Sequence, residues 1–489
     1  MNGNIVFASP LGRFGYLNDE NVLAPLDLRV PMGLERLRES PLMEDPLFSI
    51  GEFRTHDLFA RDAGNGRWEL YASFSRFQRE NCFQFVVART MLETTEHGVR
   101  PVDGEWEDVF VARPGCIRYK DHSWRFIGTQ ASGRMQMLNE TTMLISVGDH
   151  QFDGFNDAWN APMDPETDIG KIVALDLTTR QSRIYASGFR NPQGLVVRRD
   201  GTIWETEHGP QGGDEINNVR EGANYGWPLV TYGMNYGYPR RNWPTDPRPG
   251  HHEGYERPAW AFTPSVGTSN LIEADPDEFP NWRGDLLLTS LRASTLFHVR
   301  TYENRVIYIE PVHVFGRERL RDIISRRDGT IVIMTDLGSL IFVRNAERHA
   351  DAPREFTVTG LSTLSDPLPE EAPIDDTGPP VPRGRQMYSI GCAQCHSLAG
   401  EIGIGPPLNG VVGRRVGAVE GYGYSPALAN YDGVWTEELL RSFITEPERH
   451  FRGTTMPPAS ISWIEAPNII AFLRTTQLGD TPMEEEAAR

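Results

Sequence analysis

Arg198-Arg199-Asp200-Gly201-Thr202-Ile203-Trp204 recurs almost unchanged as Arg326-Arg327-Asp328-Gly329-Thr330-Ile331-Val332. Each copy places an Asp-Gly dipeptide between runs of strand-forming residues, which is the strongest short-range signal for a β-hairpin. Lys171–Leu177 and Asp285–Leu291 are apolar runs of strand length and predict buried strands. Hairpins repeated over residues 1–345 favour a β-propeller over a β-sandwich.

A second stretch, Cys392-Ala393-Gln394-Cys395-His396, has the C-x-x-C-H spacing of a c-type haem attachment site. Two thiols three residues apart lie on one face of a helical turn, where both can bond to the vinyl groups of one porphyrin. His396 then reaches the iron from the proximal side. Zinc binding is the alternative for the pentapeptide alone. Met456 lies in a proline-rich loop and offers a thioether sulfur, which suits the second axial position of a low-spin haem.

The chain divides into four predicted parts. Residues 1–345 form the predicted propeller, although the first 60 residues carry too little pattern for blades to be assigned. Residues 346–381 are acidic and rich in proline, a composition typical of a semi-stiff linker. Residues 382–478 contain the haem motif, and residues 479–489 form an acidic tail.

Composition excludes some partners. The 489 residues have a formal net charge of -19, which argues against nucleic acid or an anionic membrane and is compatible with a basic redox partner. No run of eighteen apolar residues is present, so no transmembrane helix is expected. Haem c is attached outside the bacterial cytoplasm, so a periplasmic or other extracytoplasmic location is expected, although no signal peptide is visible in this chain. Cys82 and Cys116 either pair there or remain separate buried thiols.

Residues 382–478 resemble class I cytochrome c. Gly384 and Tyr388 precede the cysteine pair as in the N-terminal helix of that family, and residues 469–474 resemble its C-terminal helix. The resemblance implies a small all-α domain in which the Pro406 carbonyl orients the proximal histidine. The residues predicted to attach, ligate or surround the haem are Cys392, Cys395, His396, Met456, Pro406, Arg414, Tyr424 and Trp435.

Gly188–Leu195 and Glu207–Asn217 resemble the soluble sugar dehydrogenases that use pyrroloquinoline quinone (PQQ), in particular the aldose sugar dehydrogenase branch. This resemblance extends from Ser132 to Val343 and implies a six-bladed propeller with PQQ and Ca²⁺ on one face. PQQ carries three carboxylates, which guanidinium groups bind in a bidentate manner. The residues implied to surround the quinone are Arg190, Asn191, Asp214, Thr268, Arg292 (where the family usually has lysine), Arg319 and Arg321. The backbone carbonyls of Gly209 and Pro210 are implied to bind Ca²⁺.

The resembled family places a catalytic histidine just before a Ser-Gly-Arg triplet, and Gln130 occupies that position here. A neutral amide cannot accept the proton that leaves a hydroxyl group during its oxidation. His150 follows the matched Gly-Asp pair and is the predicted substitute base, with Asp149 as the group that orients it. Arg190 is implied to lie near the reactive carbonyls of the quinone.

Two functions of different classes follow. The first is a quinohaemoprotein that oxidises a sugar, or another alcohol or aldehyde, and passes the electrons through its haem to an external cytochrome, copper protein or oxidase. The second is an electron-transfer cytochrome whose propeller is a catalytically silent docking or ligand-binding module. PQQ binding discriminates between them. A lyase or hydrolase is a third reading, but it leaves the haem motif unexplained.

Overall fold

The computed structural model describes most of the chain. The described residues are 3–18, 23–44, 53–78, 82–96, 98–118, 128–235, 242–246, 248, 250–312, 318–336, 338–349, 384–385, 388, 392, 395–445, 447, 451–454, 456 and 466–476. The predicted linker, apart from residues 346–349, and the predicted tail lie outside them, as do Ala393 and Gln394. The chain forms two compact units, which are described separately below.

The first unit is a six-bladed β-propeller, as predicted, and each blade is an antiparallel sheet. The first three sheets contain β1 (Ile5–Ala8), β2 (Arg13–Leu17) and β3 (Leu23–Arg29); β4 (Thr55–Gly64), β5 (Arg67–Phe77), β6 (Cys82–Thr95), β7 (Gly98–Pro101), β8 (Glu107–Val111) and β9 (Ile117–Arg118); and β10 (Ser132–Met137), β11 (Thr142–Val147), β12 (Lys171–Asp176) and β13 (Ser182–Ser187). The other three contain β14 (Pro192–Val197), β15 (Ile203–Glu207), β16 (Asp214–Val219) and β17 (Trp260–Phe262); β18 (Thr268–Glu273), β19 (Leu286–Ser290), β20 (Leu296–Tyr302) and β21 (Arg305–Val312); and β22 (Leu320–Ser325), β23 (Ile331–Thr335) and β24 (Leu340–Val343).

Short helical segments accompany the strands of this unit. They are helix α1 (Leu34–Arg38) and the 3₁₀ turns Ala161–Met163 and Pro280–Trp282. A further 3₁₀ turn covers Pro41–Glu44. The first 60 residues, which sequence pattern left unassigned, thus supply the first sheet, helix α1 and the start of β4.

Apolar side chains fill the spaces between neighbouring sheets, because each strand with alternating pattern presents one face to the next blade. The clusters lie between the second and third, third and fourth, fourth and fifth, and fifth and sixth sheets. Another cluster closes the ring: Ile5 and Leu17 of the first sheet pack with Val332 of the sixth. The propeller is therefore closed by side-chain packing between its first and last sheets.

Both predicted Asp-Gly hairpins are confirmed, but the turns are longer than the two-residue turn that this dipeptide favours. Arg198 and Thr202 form the hydrogen-bonded base of the first turn (N···O 2.9 Å), and Arg326 and Thr330 form that of the second (2.9 Å). Only the glycine of each dipeptide has a positive φ, 82° and 79°. A type I′ turn requires positive φ at both central residues, so the chain makes a five-residue turn instead.

A disulfide bond joins Cys82 at the start of β6 to Cys116, which precedes β9. The sequence left two interpretations of these cysteines open, and the structure shows the paired one. Among the described residues, no helix combines the length and apolar character needed to cross a membrane.

The second unit is helical. Its helices are α2 (Pro426–Ala429), α3 (Glu437–Thr445) and α4 (Ala466–Arg474). Gly384 packs against α4 so closely that a Cβ there would lie 1.9 Å from the carbonyl oxygen of Asn468. The Tyr388 ring packs against Phe472 of α4, with ring centroids 5.6 Å apart and the ring planes tilted by 50°. The segment before the haem motif therefore crosses the C-terminal helix, and glycine allows the close approach.

Candidate functional site

The site in the propeller lies where the first strands of five sheets begin. The strands β4, β10, β14, β18 and β22 each lie next to the first strand of a neighbouring sheet. Each also has a register shift near its start, where one extra residue faces its partner strand. Such β-bulges re-aim side chains and are common beside active sites. No local pattern of residues indicates this shared feature.

At the bulges, a layer of polar groups connects different sheets. The Arg134 guanidinium contacts Asp57 (2.7 Å), Asp322 (3.0 Å) and the carbonyl oxygen of Gln193 (2.8 Å). Asn270 donates a hydrogen bond to Asp322 (2.8 Å). These five residues form what we call the polar floor, and together they join five of the six sheets.

A cluster of guanidinium groups lies at the start of β22. Arg319 and Arg321 both contact Asp336, at 3.2 and 2.6 Å. Burial lowers the pKa of Arg319, and the neighbouring charges of Arg321 and Arg54 lower it further, while Asp336 acts in the opposite direction. Two guanidinium groups share one carboxylate here. An anionic ligand with several carboxylates, as PQQ is, fits this donor set.

Arg190 lies at the centre of the predicted site and is 5% exposed. Its guanidinium donates to the carbonyl oxygens of His208 (3.1 Å) and Gly209 (2.9 Å) and packs over the Trp227 ring at 5.3 Å. It also donates to the Gln130 side-chain oxygen (2.9 Å) when that amide is oriented with its nitrogen toward Asp149. The predicted residues Arg190 and Gln130 are thus brought into direct contact.

Asp149 is fully buried and receives three hydrogen bonds. The donors are the Gln130 amide (2.5 Å), the backbone N–H of Gln151 (2.9 Å) and the indole N–H of Trp227 (2.7 Å). Burial, together with the nearby Asp153, raises the pKa of the Asp149 carboxyl, and Arg190 opposes that shift. His150 is not among these partners, so the predicted orienting role of Asp149 remains a prediction.

His150 is 4% exposed, and its Nδ1–H donates to the carbonyl oxygen of Thr129 (3.2 Å). Burial lowers the pKa of His150 to about 4, so its ring is neutral at pH 7. The backbone here is strained: His150, Gln130, Ser132 and Gln151 have φ between 49° and 67°. Left-handed backbone at non-glycine residues clusters at functional sites. The loop that contains Gln130 and the loop that contains His150 therefore lie side by side, and both have an unusual backbone conformation.

Asp214 organises the loop that precedes β18. Its carboxylate accepts backbone N–H groups of Val266 (3.0 Å), Gly267 (2.6 Å) and Thr268 (3.4 Å), and that of Gly209 (3.2 Å). Its carboxylate also accepts the Ser265 hydroxyl. All five donors belong to surrounding loops or the strand ends beside them, so Asp214 acts by holding those segments.

Asn191 and Thr268 meet around the ring of His208. The Asn191 amide lies 3.4 Å from His208 Nδ1, and the Thr268 carbonyl oxygen lies 2.6 Å from His208 Nε2. Burial lowers the pKa of His208. Arg292 differs from the other predicted residues because it is exposed on the turn after β19. Only its backbone N–H has a hydrogen bond among the described residues, to Val266.

The predicted calcium ligands lie beside Arg190. The Gly209 carbonyl oxygen accepts from the Arg190 guanidinium, and a carbonyl oxygen has a second lone pair for a further partner. Pro210 is buried against Gly233. Within the described part of the chain, no group of three or more His, Cys, Asp or Glu side chains is arranged to hold a metal. Any calcium site here would rest on backbone carbonyls.

In the helical unit, the haem motif has the predicted local geometry. The backbone N–H groups of Cys395 and His396 both donate to the Cys392 carbonyl oxygen, at 3.1 and 2.9 Å, so the three residues share one turn. His396 Nδ1–H donates to the Pro406 carbonyl oxygen (2.7 Å), which leaves Nε2 as the metal-binding nitrogen. A Cβ at Gly405 would lie 2.3 Å from the His396 ring. The donor set and its orientation fit a covalently attached haem.

The other predicted haem residues surround the same core. Met456 and Tyr424 pack against the apolar cluster that contains Cys392 and Trp435. Arg414 donates to the carbonyl oxygens of Pro407 (2.7 Å) and Asn409 (3.2 Å), and burial lowers its pKa. A half-buried guanidinium that donates hydrogen bonds to neutral carbonyl oxygens can also bind an anionic group such as a haem propionate.

Sequence reasoning missed Arg54, His56 and the polar floor. Arg54, His56 and Asp57 lie in β4 and the segment before it, ahead of the Ser132 at which the family resemblance begins. The other members of the polar floor lie in later strands, and only the closed ring brings them together. A bulge has no local sequence signature, so the only available signal was the presence of Arg54, His56 and Asp57 close together.

Comparison with known proteins gives relatives for both units. A family model described as Glucose / Sorbosone dehydrogenase matches residues 65–342. Aldose sugar dehydrogenase YliI of Escherichia coli is 31% identical over 161 residues, which are 32% of this chain and 42% of that enzyme. The crystal structure of the soluble aldose sugar dehydrogenase from Escherichia coli, in the apo-form, has the same fold: TM-score 0.57, 22% identity, 70% of this chain and 92% of that chain.

Cytochrome c of Euglena viridis is 39% identical over 95 residues, which are 19% of this chain and 93% of that cytochrome. The matched part covers nearly a whole cytochrome. The similarity on the propeller side reaches back to residue 65, well before the Ser132 at which the sequence resemblance began.

Proposed function

The chain belongs to the Glucose / Sorbosone dehydrogenase family and contains a class I cytochrome c region, and from this premise we propose that it is a quinohaemoprotein dehydrogenase. The propeller oxidises a sugar, or another alcohol or aldehyde, with PQQ. The covalently attached haem c takes the electrons to an external acceptor in an extracytoplasmic compartment. The observation that carries this proposal is that one chain combines a dehydrogenase propeller with a haem-binding C-x-x-C-H motif.

Different residues of the propeller would bind PQQ, stabilise developing negative charge and bind Ca²⁺. Arg319 and Arg321, with Arg54 nearby, would bind the carboxylates of PQQ. Arg190, held by two carbonyl oxygens and by Trp227, would place a fixed positive charge where negative charge develops. The carbonyls of Gly209 and Pro210 would bind Ca²⁺.

PQQ, when bound, supplies a two-electron acceptor, whereas a haem carries one electron. Each substrate oxidised therefore requires two successive electron transfers to haem. The tether between the units keeps the haem at high effective concentration for both transfers.

The test uses the purified, haem-loaded chain with added PQQ and Ca²⁺ and a panel of aldoses, alcohols and aldehydes. We expect the absorption of reduced haem to appear only when both the quinone and a substrate are present. Ascorbate serves as the control for a reducible haem. A haem that ascorbate reduces, combined with a propeller that does not bind PQQ, would overturn the proposal.

A second function, an electron-transfer cytochrome with a silent propeller, is favoured by one observation. The position of the family's catalytic histidine holds Gln130, whose amide is engaged by Asp149 and Arg190 and has no basicity. Retained PQQ binding contradicts this alternative, because a silent module has no use for the quinone.

A further inference from the structure

His56 occupies the same structural position in β4 that Gln193 occupies in β14 and Arg321 occupies in β22. In β4, Thr55 pairs with Phe74 and Asp57 with Ser73, so His56 is the extra residue of the bulge. Gln193 in β14 and Arg321 in β22 are the extra residues of bulges with the same pattern. Since all three strands begin at the same end of the propeller, the three side chains belong to one layer.

Contacts place His56 against the segment that contains Gln130. A Cβ on Gly133 would lie 2.4 Å from Cβ of His56, so the two backbones are in close contact. His56 Nε2 lies 3.0 Å from the Ser75 hydroxyl, and its ring stacks on Phe85 with centroids 5.7 Å apart. The side chain is partly exposed, and no described residue hydrogen-bonds its Nδ1.

The other candidate bases are less suitable. The Gln130 amide has no basicity, and the Asp149 carboxylate is already covered by three donors, one of them Gln130 itself. His150 is anchored to the Thr129 carbonyl through Nδ1 and is almost fully buried. His208 has hydrogen-bond partners at both ring nitrogens, the Asn191 amide and the Thr268 carbonyl oxygen. His56 is then the remaining partly exposed imidazole in contact with these loops among the residues described around them.

We propose that His56 lies in the quinone and substrate pocket and accepts the substrate's hydroxyl proton, the task that the histidine absent from position 130 has in the resembled family. This inference rests on the proposed function. The C–H bond of the substrate breaks with its electron pair passing as hydride to the quinone. The O–H bond breaks with its proton passing to His56 Nδ1, and the C=O double bond forms. Donation of Nε2–H to Ser75 would keep the Nδ1 lone pair available.

The charges around His56 keep it in its basic form. The groups that face it are Arg54 and His150, with Asp57 and Arg134 of the polar floor beside them. Burial, and then the charge of Arg54, lowers the pKa of His56 well below its usual value. The imidazole is therefore neutral, and able to accept a proton, at pH 7.

The first test needs no turnover. PQQ affinity is measured by quenching of tryptophan fluorescence at pH 5 and pH 8 in the wild type, His56→Gln and His150→Gln. Because the three carboxylates of PQQ favour the protonated form of an adjacent imidazole, bound PQQ raises the pKa of His56. We therefore expect acidification to strengthen binding about two- to threefold more in the wild type and His150→Gln than in His56→Gln. The same pH dependence in all three proteins would place His56 outside the pocket and overturn the proposal.

The second test is the rate of haem reduction after a substrate is mixed with PQQ-loaded protein. We expect His56→Gln to slow it at least about 100-fold and His150→Gln to change it only a few-fold. His56→Asn is the replacement variant if His56→Gln does not retain its haem spectrum. Unchanged rates in the His56 variants would overturn the assignment. A wild type that shows the pH-linked affinity but reduces no haem would instead overturn the proposed function, and the catalytic step with it.

Discussion

Gln130 shows how a single residue changes the chemistry expected of a site. Its amide joins Asp149 to Arg190 by donating to one and accepting from the other. A histidine there could donate to Asp149 through one ring nitrogen and accept a proton at the other, which glutamine cannot do. Asp149 and Arg190 could therefore support a basic residue at position 130, but Gln130 itself cannot act as a base.

At the same scale, Arg319 is predicted to bind a PQQ carboxylate. We expect Arg319→Ala to weaken PQQ binding about 10- to 100-fold, because a charge-assisted hydrogen bond contributes about 1.5–3 kcal/mol. Fluorescence titration measures the change, and Arg305→Ala, an exposed arginine on β21, is the matched control. Equal affinities of the two variants would remove Arg319 from the site.

Met456 is predicted to be the second axial ligand of the haem. We expect Met456→Ala to retain covalent haem but to bind added azide or imidazole, because the iron then has an open position. The optical spectrum with and without these ligands measures the effect. Met334→Ala, a methionine of β23, is the control and should leave the spectrum unchanged. A Met456→Ala spectrum identical to that of the wild type would rule out this ligand.

At the scale of elements, the repeated bulge explains why five sheets contribute to one site. Each first strand carries an extra residue at its start, so polar side chains turn toward the same layer. The polar floor, whose members lie at or beside these bulges, joins the same five strands through hydrogen bonds and ion pairs. The site is thus positioned by strands, which are more rigid than the loops around them.

The polar floor makes stability depend on pH. Burial raises the pKa of Asp57 to about 6, although Arg134 opposes the shift. An aspartate in the unfolded chain has a pKa of about 3.9, so the folded protein binds this proton more tightly. The stabilisation is fully present below pH ~4 and is lost as the pH rises to about 6, a loss of about 2–3 kcal/mol. Urea unfolding between pH 4 and pH 7, followed by tryptophan fluorescence, measures it.

Asp57→Asn is the control for this prediction. The asparagine does not titrate, so the free energy of unfolding should vary less between pH 4 and pH 7 than in the wild type. A variant with the same pH dependence as the wild type would show that another group is responsible.

The disulfide between Cys82 and Cys116 connects the ends of two paired strands of the second sheet, 34 residues apart. A loop of this size predicts a loss of about 3–4 kcal/mol when Cys82→Ala and Cys116→Ala are combined, because the unfolded chain gains freedom. Urea unfolding of the propeller measures the loss. Wild type treated with dithiothreitol should show the same change, since thioether bonds to haem are not reduced. An unaltered unfolding midpoint would contradict the prediction.

At the scale of the molecule, the two units belong to one chain that contains a proline-rich, acidic segment between them. Under the proposed function, electron transfer from propeller to haem would be intramolecular. We expect haem reduction by substrate to be first order, with a rate constant that a tenfold dilution of the protein leaves unchanged. Stopped-flow absorbance measures it. A rate constant that falls in proportion to dilution would show that electrons pass between separate molecules.

The positive charges of the molecule come almost entirely from arginine. Among 48 basic residues only Lys120 and Lys171 are lysines, and Lys171 is buried with its ammonium group donating to three backbone carbonyl oxygens. Residues 382–478 contain eight arginines and eight acidic residues, and no lysine. The net charge of -19 therefore comes from outside that region.

The sequence by itself determined the features that depend only on residues close together along the chain. The C-x-x-C-H motif, the Asp-Gly hairpins and the apolar strands are local patterns, because a few consecutive residues decide the conformation of a turn or strand. The fold class followed from their repetition, and the Pro406 contact with His396 was implied by the resemblance to class I cytochrome c.

Only the tertiary structure decided which distant residues meet. The pairing of Cys82 with Cys116, the shared contact of Arg319 and Arg321 with Asp336, and the position of His56 beside Gly133 all join separate segments. Such contacts depend on the register of each sheet and on the closure of the ring, which depend on packing along the whole propeller. No short stretch of sequence carries that information, and this is why the residue we propose as the base was missed.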